Sequence, residues 1–315
     1  MIVFDHVVKR YGDSSRPAVS DLSLRIEDGE IVVLVGPSGC GKTTTLKMIN
    51  RLVEPTSGTI SIDGRDTRSY DVNVLRRSIG YVIQQIGLFP HLTVAENVAT
   101  VPRLAGWDRQ RTRARVTELL DLVDLPAVDY WNRLPAELSG GERQRVGVAR
   151  ALAVDPPVLL MDEPFGAIDP IARDRLQDEL LRLQKVVRKT IVFVTHDIEE
   201  AIKLGDRVAL LQQGGVLAQY ATPEELLAHP ASEFVTDFLG EGRLVRRLGL
   251  IRLTDLPLGA LNGVAAPQQR IPVDASLRDA LDAVLRSPDG RVGVERGGEL
   301  VGVVDVESIR RAAAQ

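Results

Sequence analysis

The sequence predicts an α/β fold: a mostly parallel sheet with helices on both faces, a helical insert, and a small α+β module near the C-terminal end. Three observations predict it. Short apolar runs at residues 31–35, 158–161 and 191–194 alternate with helical patterns, as buried parallel strands do with their crossover helices. Between residues 92 and 135 the apolar period becomes helical. Near Gly240 the composition shifts, and a compact strand–helix–strand–strand–helix pattern follows. On these signals the chain divides into residues 1–240, a linker or degenerate element at 241–269, and a module at 270–315.

Residues 2–8 and 22–26 alternate apolar with polar and read as antiparallel strands. Residues 31–35, Ile-Val-Val-Leu-Val, read as a buried central strand running into a glycine-rich turn and a helix over 42–52. Val116, Leu119, Leu120 and Val123 recur at helical spacing, with basic residues crowding 109–115. In the last part, residues 271–273 form a short strand, and Leu277, Ala280, Leu281, Val284 and Leu285 make one face of a helix. Strands at 291–295 and 300–304, split by Gly297-Gly298, and a final helix complete the module. Ahead of it, Leu244, Leu248 and Ile251 stand at i, i+4 and i+7 beside Arg243, Arg246, Arg247 and Arg252. Two readings follow. The segment lies on an anionic membrane surface and is released by salt, or the stripe packs on the module and the arginines are solvated.

With 39 Lys and Arg against 43 Asp and Glu, the net charge of −4 argues against nucleic acid as a bulk electrostatic partner. A single cysteine, Cys40, excludes a disulfide within the chain and fits a reducing compartment. The first residues do not read as a signal peptide. No apolar run approaches the roughly 18 to 20 residues of a membrane helix. Any service at a membrane is therefore expected from its surface, through partners.

Gly36-Pro37-Ser38-Gly39-Cys40-Gly41-Lys42-Thr43 fits the P-loop pattern in its required strand–loop–helix context, with Thr44 next on the helix. Glycines let backbone N–H groups wrap phosphates, and the helix start adds positive dipole. Lys42 would reach the β- and γ-phosphates, and the Thr43 hydroxyl would ligate Mg²⁺. A chance glycine loop is the alternative. The run 158–161 ends in Asp162 and Glu163, placed to hold Mg²⁺ and to polarise an attacking water; alone, the pair would read as a solvated acidic turn. Ser139-Gly140-Gly141-Glu142 opens another helix, as a capping box and as a second anion site, since both share one geometry. Cys40, close to Lys42 and a helix start, is expected to favour thiolate.

In this order the motifs resemble those of the ABC ATPase domain over roughly residues 1–240. The resemblance implies that Tyr11 stacks on adenine and that Gln84 links nucleotide to transporter contacts. It makes Ser139 to Glu142 the signature loop, Gly166-Ala167-Ile168-Asp169 the D-loop, and His196 the switch histidine. Gly166 and Ile168 depart from the commoner Ser and Leu; Asp169 is retained. The cofactors implied are ATP and Mg²⁺. Tyr11, residues 36–44, residues 139–142 and Asp169 would bind nucleotide. Thr43, Gln84 and Asp162 would hold the metal, and Glu163, His196 and Gln84 would serve catalysis. The resemblance further implies a two-fold homodimer with two sandwiched ATPs, each closed by Ser139 and Gly141 of the opposite protomer. Integral-membrane permease subunits and, indirectly, an extracytoplasmic solute-binding protein complete the machine, with this chain peripheral on the cytoplasmic face of the membrane.

Residues 43–52 and the stretch from Gly80 through Gln84 and Gln85 to His91 are similar to importers for osmoprotectants such as glycine betaine, choline and carnitine. The final module resembles one CBS unit. Such units work in pairs, so residues 244–261 are a remnant of the first, or the other protomer supplies it. Asp305 stands where a Ser or Thr usually meets a ribose-phosphate, which favours a packing or dimerisation role over nucleotide binding. Two alternatives to this cargo and class stay open. One is an importer ATPase for amino acids, polyamines or another betaine-like solute. The other is a soluble ABC ATPase of DNA repair or translation, opposed by the lack of a second ATPase half or a long basic insert.

Overall fold

The computed structural model describes residues 1–12, 16–84, 87–166, 168–256, 258–259, 267 and 269–313. They fall into two compact units, Met1–Pro223 and Glu224–Gln315.

The first unit opens with β1 (Ile2–Lys9), β2 (Val19–Ile26) and β3 (Ile31–Val35), then α1 (Lys42–Ile49), β4 (Ser57–Ile62) and β5 (Arg65–Asp66). After α2 (Val72–Arg77) and β6 (Ile79–Val82) come α3 (Val94–Leu104), α4 (Arg109–Leu122), α5 (Ala127–Tyr130) and α6 (Gly140–Ala151). The chain returns through β7 (Val158–Asp162), α7 (Pro170–Val187), β8 (Thr190–Val194), α8 (Ile198–Leu204), β9 (Arg207–Gln212) and β10 (Val216–Ala221). The expected antiparallel pair forms: Phe4 lies opposite Leu24 across β1 and β2, and opposite Ile60 across β1 and β4. It belongs to an antiparallel sheet of order β2-β1-β4-β5.

A second sheet has the order β10-β9-β3-β8-β7-β6. Its strands β6, β7, β8, β3 and β9 are parallel, and β10 adds an antiparallel edge. Every residue of β3, β7 and β8 is buried, which is why these strands read as unbroken apolar runs. Side chains two apart share a face. Val32 and Leu34, Val158 and Leu160, Val192 and Val194, and Ala209 and Leu211 pack with α1 and with Phe4, Leu24 and Ile60 of the antiparallel sheet. One face of the parallel sheet is thus covered by the expected helix, α1, joined there by a second sheet. A sheet of alternating strands has one apolar side to bury, and here it buries it on β3, β7, β8 and β9.

Helix α1 stops at Ile49, short of residue 52. Arg51 takes a left-handed φ of 53°, and the Asn50 side chain accepts from Leu52 N at 3.2 Å, so the chain turns out of the helix. In the insert, Val116, Leu119, Leu120 and Val123 are buried as their spacing predicts. The fully buried Asn97 amide ties α3 to the preceding loop, accepting from Phe89 N and donating to the carbonyls of Phe89, Leu92 and Thr93.

The second unit contains α9 (Pro223–Ala228), which begins at the boundary, α10 (Glu233–Leu239), α11 (Arg243–Leu250), β11 (Arg270–Pro272), α12 (Leu277–Arg286), β12 (Arg291–Arg296), β13 (Glu299–Asp305) and α13 (Val306–Ala313). β11 and β12 are parallel, β12 and β13 antiparallel. The order expected for the last module is present, but the preceding stretch is more than a linker. Leu248 of α11 and Leu253 share one apolar core with Ile271, Leu277, Val284, Val292, Val304 and Ile309. Leu285 is exposed, so the buried face of α12 runs through Leu277, Ala280 and Val284. Leu244 is also exposed, whereas Leu248 is buried and Ile251 packs on the core. Arg246 donates to the carbonyls of Leu239 and Glu241, Arg247 to that of Ala313, and Arg252 to that of Asp274. Leu248 and Ile251 pack inward while Leu244 stays exposed, and Arg246, Arg247 and Arg252 tie backbone within the unit, which favours the reading in which the stripe packs on the module. Residues 260–266, which hold part of the expected remnant, lie outside the described residues.

Candidate active site

The site lies at the carboxyl ends of the parallel strands, where α/β sheets place their ligands. Beyond β3 the backbone takes a φ of 153° at Gly36 and 104° at Gly41. A Cβ on Gly36 would stand 2.2 Å from the Leu211 carbonyl oxygen, and one on Gly41 would stand 2.3 Å from that of Ala18. Both positions therefore demand glycine. Gly41 is also the N-cap of α1 and supplies no side-chain cap, so the first-turn N–H groups remain for an anion. Gln213 Nε2 donates to the Ser38 carbonyl at 3.0 Å and steadies the loop from outside. No local pattern marks that residue.

The Lys42 ammonium curls inside the loop, donating to the carbonyls of Gly36 at 2.7 Å and Pro37 at 3.0 Å. Cys40 corrects an expectation. Its side chain is fully buried in the core beneath the loop, and this burial pushes the thiol above its ordinary range despite the opposing charge of Lys42. The residue favours the neutral thiol.

Thr43 Oγ1 donates to Asp162 Oδ1 at 2.9 Å. Asp162 ends β7 and is 6% exposed. Burial pushes its carboxyl above the usual range, and the Thr43 hydrogen bond and the Lys47 charge pull it back. Tyr81 stands nearby and was not foreseen. Burial, and after it the Asp162 charge, drives its phenol well upward, so it stays a neutral wall beside the carboxylate. Glu163 follows with a φ of 44°, a conformation that costs an L-residue energy and clusters at functional sites. Its N–H donates to Val194 O at 3.0 Å, locking the ends of β7 and β8 together.

This turn aims the Glu163 carboxylate across the strand ends. Glu163 Oε2 accepts from Gln84 Nε2 at 3.0 Å, beyond β6, and lies 3.3 Å from His196 Nδ1, beyond β8. The strand order sets this convergence, because β7 lies between β6 and β8. Tyr11 is exposed, with Lys9 Nζ 4.9 Å from its ring centroid, open for stacking. Asp169 caps α7, accepting from Ala172 N at 3.0 Å. Gln85 and Ala167 lie outside the described residues.

The Ser139 loop stands apart. Among the described residues no hydrogen bond joins it to the Asp162–Glu163 group. Ser139 caps α6, and Glu142 returns Oε2 to Ser139 N at 2.7 Å and accepts from the Tyr130 hydroxyl through Oε1 at 2.6 Å. The Tyr130 hydrogen bond, followed by those from Ser139, lowers the Glu142 carboxyl to about 2. Glu142 thus holds the loop's shape, while exposed Ser139 and the Gly140 and Gly141 backbone face outward.

Thr43, Asp162 and Gln84 offer a hydroxyl, a carboxylate and an amide oxygen. These hard donors fit Mg²⁺, which takes one or two carboxylates and completes its shell from water and phosphate. No group of three or more His, Cys, Asp or Glu that could hold a metal occurs among the described residues.

Residues 19–166 match the ABC transporter family profile. The chain is 56% identical over 239 residues to the osmoprotectant import ATP-binding protein OsmV of Salmonella typhimurium, covering 76% of this chain and 62% of that protein. It is 47% identical over 315 residues to the glycine betaine/carnitine/choline transport ATP-binding protein OpuCA of Bacillus subtilis, covering 98% of this chain and 79% of that one. Among solved structures, a dimeric bacterial ABC transporter cassette superposes with a TM-score of 0.63 at 37% identity, over 71% of this chain and 99% of its own.

Proposed function

The chain belongs to the ABC transporter family, and we propose that it is the ATP-hydrolysing subunit of an importer for quaternary-amine osmoprotectants such as glycine betaine, choline and carnitine. The observation that carries the catalytic part is the convergence of Gln84 and His196 on Glu163, one residue beyond the Asp162 that accepts from the P-loop Thr43. Similarity over almost the whole chain to a subunit named for glycine betaine, carnitine and choline supports the cargo.

In this reading the loop of residues 36–44, through the backbone N–H groups it has outside Pro37, and Lys42 cradle the ATP phosphates, and Tyr11 stacks on adenine. Thr43, Asp162 and Gln84 would hold Mg²⁺, which would supply neutralisation of charge on the phosphates. Glu163 accepts a proton from the attacking water, held by Gln84 and His196 so that one carboxylate oxygen stays directed at the nucleophile. His196 contacts the γ-phosphate and senses its loss.

Two copies of the chain close over two nucleotides, and the two-fold relation makes the sites equal. Ser139, Gly140 and Gly141 of the partner complete each site, with Asp169 at the start of α7 beside the joint. Permease subunits dock on a groove of about 710 Å³ lined by Arg76, Arg77, Tyr81, Phe89, Leu104 and Arg150. It adjoins the stretch after Gln84 and would pass closure to the membrane. No helix among the described residues is long and apolar enough to cross a membrane; the chain works from the cytoplasmic face, and an extracytoplasmic binding protein presents the solute. We assign residues 1–240 to the nucleotide-binding domain, 241–269 to a connecting segment that completes the C-terminal core, and 270–315 to a CBS-like packing or dimerisation module.

The test is uptake of labelled glycine betaine, choline and carnitine by cells whose only copy carries Glu163→Gln. Loss of quaternary-amine uptake with amino-acid uptake intact supports the assignment. Unchanged uptake of all three amines overturns it.

A further inference from the structure

A cavity of about 220 Å³ lies on the far side of β7 from α1 and is lined by α4, α6, β7, α7 and the loops that follow α4 and β7. Its walls are Val123 after α4, Val148 of α6, Met161 of β7, Phe165, and Leu176 and Leu180 of α7. At its mouth Arg182 of α7 stands 3.8 Å from Asp124, an exposed ion pair that can open at little cost. Besides the apolar walls and the pair at the mouth, the lining carries Gln144 and Arg145 of α6 and Glu179 of α7; Arg145 Nη1 pairs with Glu179 at 3.4 Å, and its buried Nε has no partner.

Gln144 is only 1% exposed, and neither its Nε2 nor its Oε1 has a hydrogen-bond partner. Buried amides are normally paired, and each orphan calls for an explanation. The sequence offers an easy alternative, since an apolar residue here would merge with Val148 and Leu180 without penalty. The proposed active site does not account for this side chain either. Glu142, two residues earlier, is fully engaged by Ser139 and Tyr130 and points elsewhere.

We propose that this cavity binds a small, mainly apolar molecule bearing a primary carboxamide. An amide side chain presents one donor and one acceptor side by side. Its full complement is another donor–acceptor pair, as in a carboxamide; a carboxylate would leave Oε1 facing an acceptor and would meet the Glu179 charge, which already holds Arg145 at 3.4 Å, and a hydrocarbon would leave both amide atoms orphaned. The volume exceeds the ~150 Å³ that accepts benzene in an engineered apolar cavity, so one ring with a short polar arm fits. The apolar end packs on Met161, Phe165 and Leu180. Because Phe165 follows Glu163 by two residues, the occupant would touch the segment that carries the proposed catalytic base.

The probe is benzamide, with toluene and benzoate as controls of equal ring size, titrated into the full-length chain. Binding is read from the methyl resonances of Met161, Leu176 and Leu180, independently of ATP hydrolysis. Benzamide should saturate these shifts about tenfold more tightly than either control, the worth of one or two buried hydrogen bonds. Gln144→Met should abolish that preference while toluene still binds. Leu180→Phe, which fills the cavity, should abolish binding of all three. Absence of saturable benzamide binding, shifts confined to the nucleotide loop, or an unchanged preference in Gln144→Met would each overturn the proposal. The first outcome would leave Gln144 satisfied by trapped water only.

Discussion

Gln84 Nε2 donates to Glu163 Oε2 at 3.0 Å across a separation of 79 residues. The bond joins the loops beyond two adjacent parallel strands, and it leaves Glu163 Oε1 without that restraint. With His196 3.3 Å from the same Oε2, one oxygen of the carboxylate is anchored and the other takes part in neither contact. The left-handed backbone of Glu163 is the local cost of this orientation.

If Glu163 is the base, Glu163→Gln should retain ATP binding and lose turnover by roughly 10²–10⁴-fold, the usual worth of general-base catalysis. The nucleotide-bound dimer should accumulate, visible by size-exclusion chromatography with ATP. Turnover near that of the unaltered chain would remove Glu163 from this role.

Separation of the Ser139 loop from the Glu163 group predicts sites shared between protomers. A chain with Lys42→Ala and a chain with Ser139→Tyr should each be inactive alone. When mixed they should regain roughly a quarter of full activity, since half the dimers are mixed and each has one clean site. A mixture as inactive as its components would show that each chain builds its own complete site.

Cys40 should behave as a buried neutral thiol. A bulky maleimide should react slowly with the native chain and stoichiometrically in denaturant. Its reaction should accelerate only above the ordinary thiol range, because burial raises the folded pKa. Rapid labelling of the native chain at neutral pH would place the sulfur outside the core.

Tyr130→Phe removes the hydroxyl that most depresses the Glu142 carboxyl. Glu142 titrates at about 2 in the folded chain, against 4.5 for the unperturbed group. A lowered folded pKa means stabilisation that is fully present above 4.5 and lost as the pH falls towards 2. At neutral pH the substitution should cost about 1 kcal/mol, allowing for solvent screening. In urea unfolding the difference between the two chains should shrink as the pH is lowered from 5; a constant difference would assign the cost to packing.

Gly41→Ala should damage the loop directly. It sets a methyl 2.3 Å from the Ala18 carbonyl oxygen at a φ of 104°, and strain of this kind costs on the order of 1–3 kcal/mol. The melting temperature and ATP affinity should both fall, measured by calorimetry and nucleotide titration. An unaltered affinity would mean that the loop accommodates the side chain.

Whatever depended on neighbours along the chain was legible without coordinates. The run 31–35 reads as a central strand because all its residues are apolar and four of the five are β-branched, and Gly36 to Thr43 reads as an anion-binding turn because its glycines and lysine stand at fixed local spacing. The capping box from Ser139 to Glu142 and the β12–β13 hairpin split by Gly297-Gly298 are local in the same sense. Gly41 could be read as a loop glycine; its contact with Ala18 could not.

Other outcomes belonged to the tertiary structure. A helical period marks apolar candidates, but only the packed partner decides which are buried, so Leu248 enters the core while Leu244 and Leu285 meet solvent. Cys40 sits beside Lys42 in sequence, yet its side chain turns under the loop, and burial outweighs the adjacent charge. The sequence alone determined the apolar central strands, the phosphate loop and the acidic strand end, because propensity, period and glycine conformation act over a few residues. Only the fold decided that Gln84 and His196 meet on Glu163, that Tyr81 walls Asp162 and that Gln144 is buried without a partner, because strand order and packing set those distances between residues far apart in the chain.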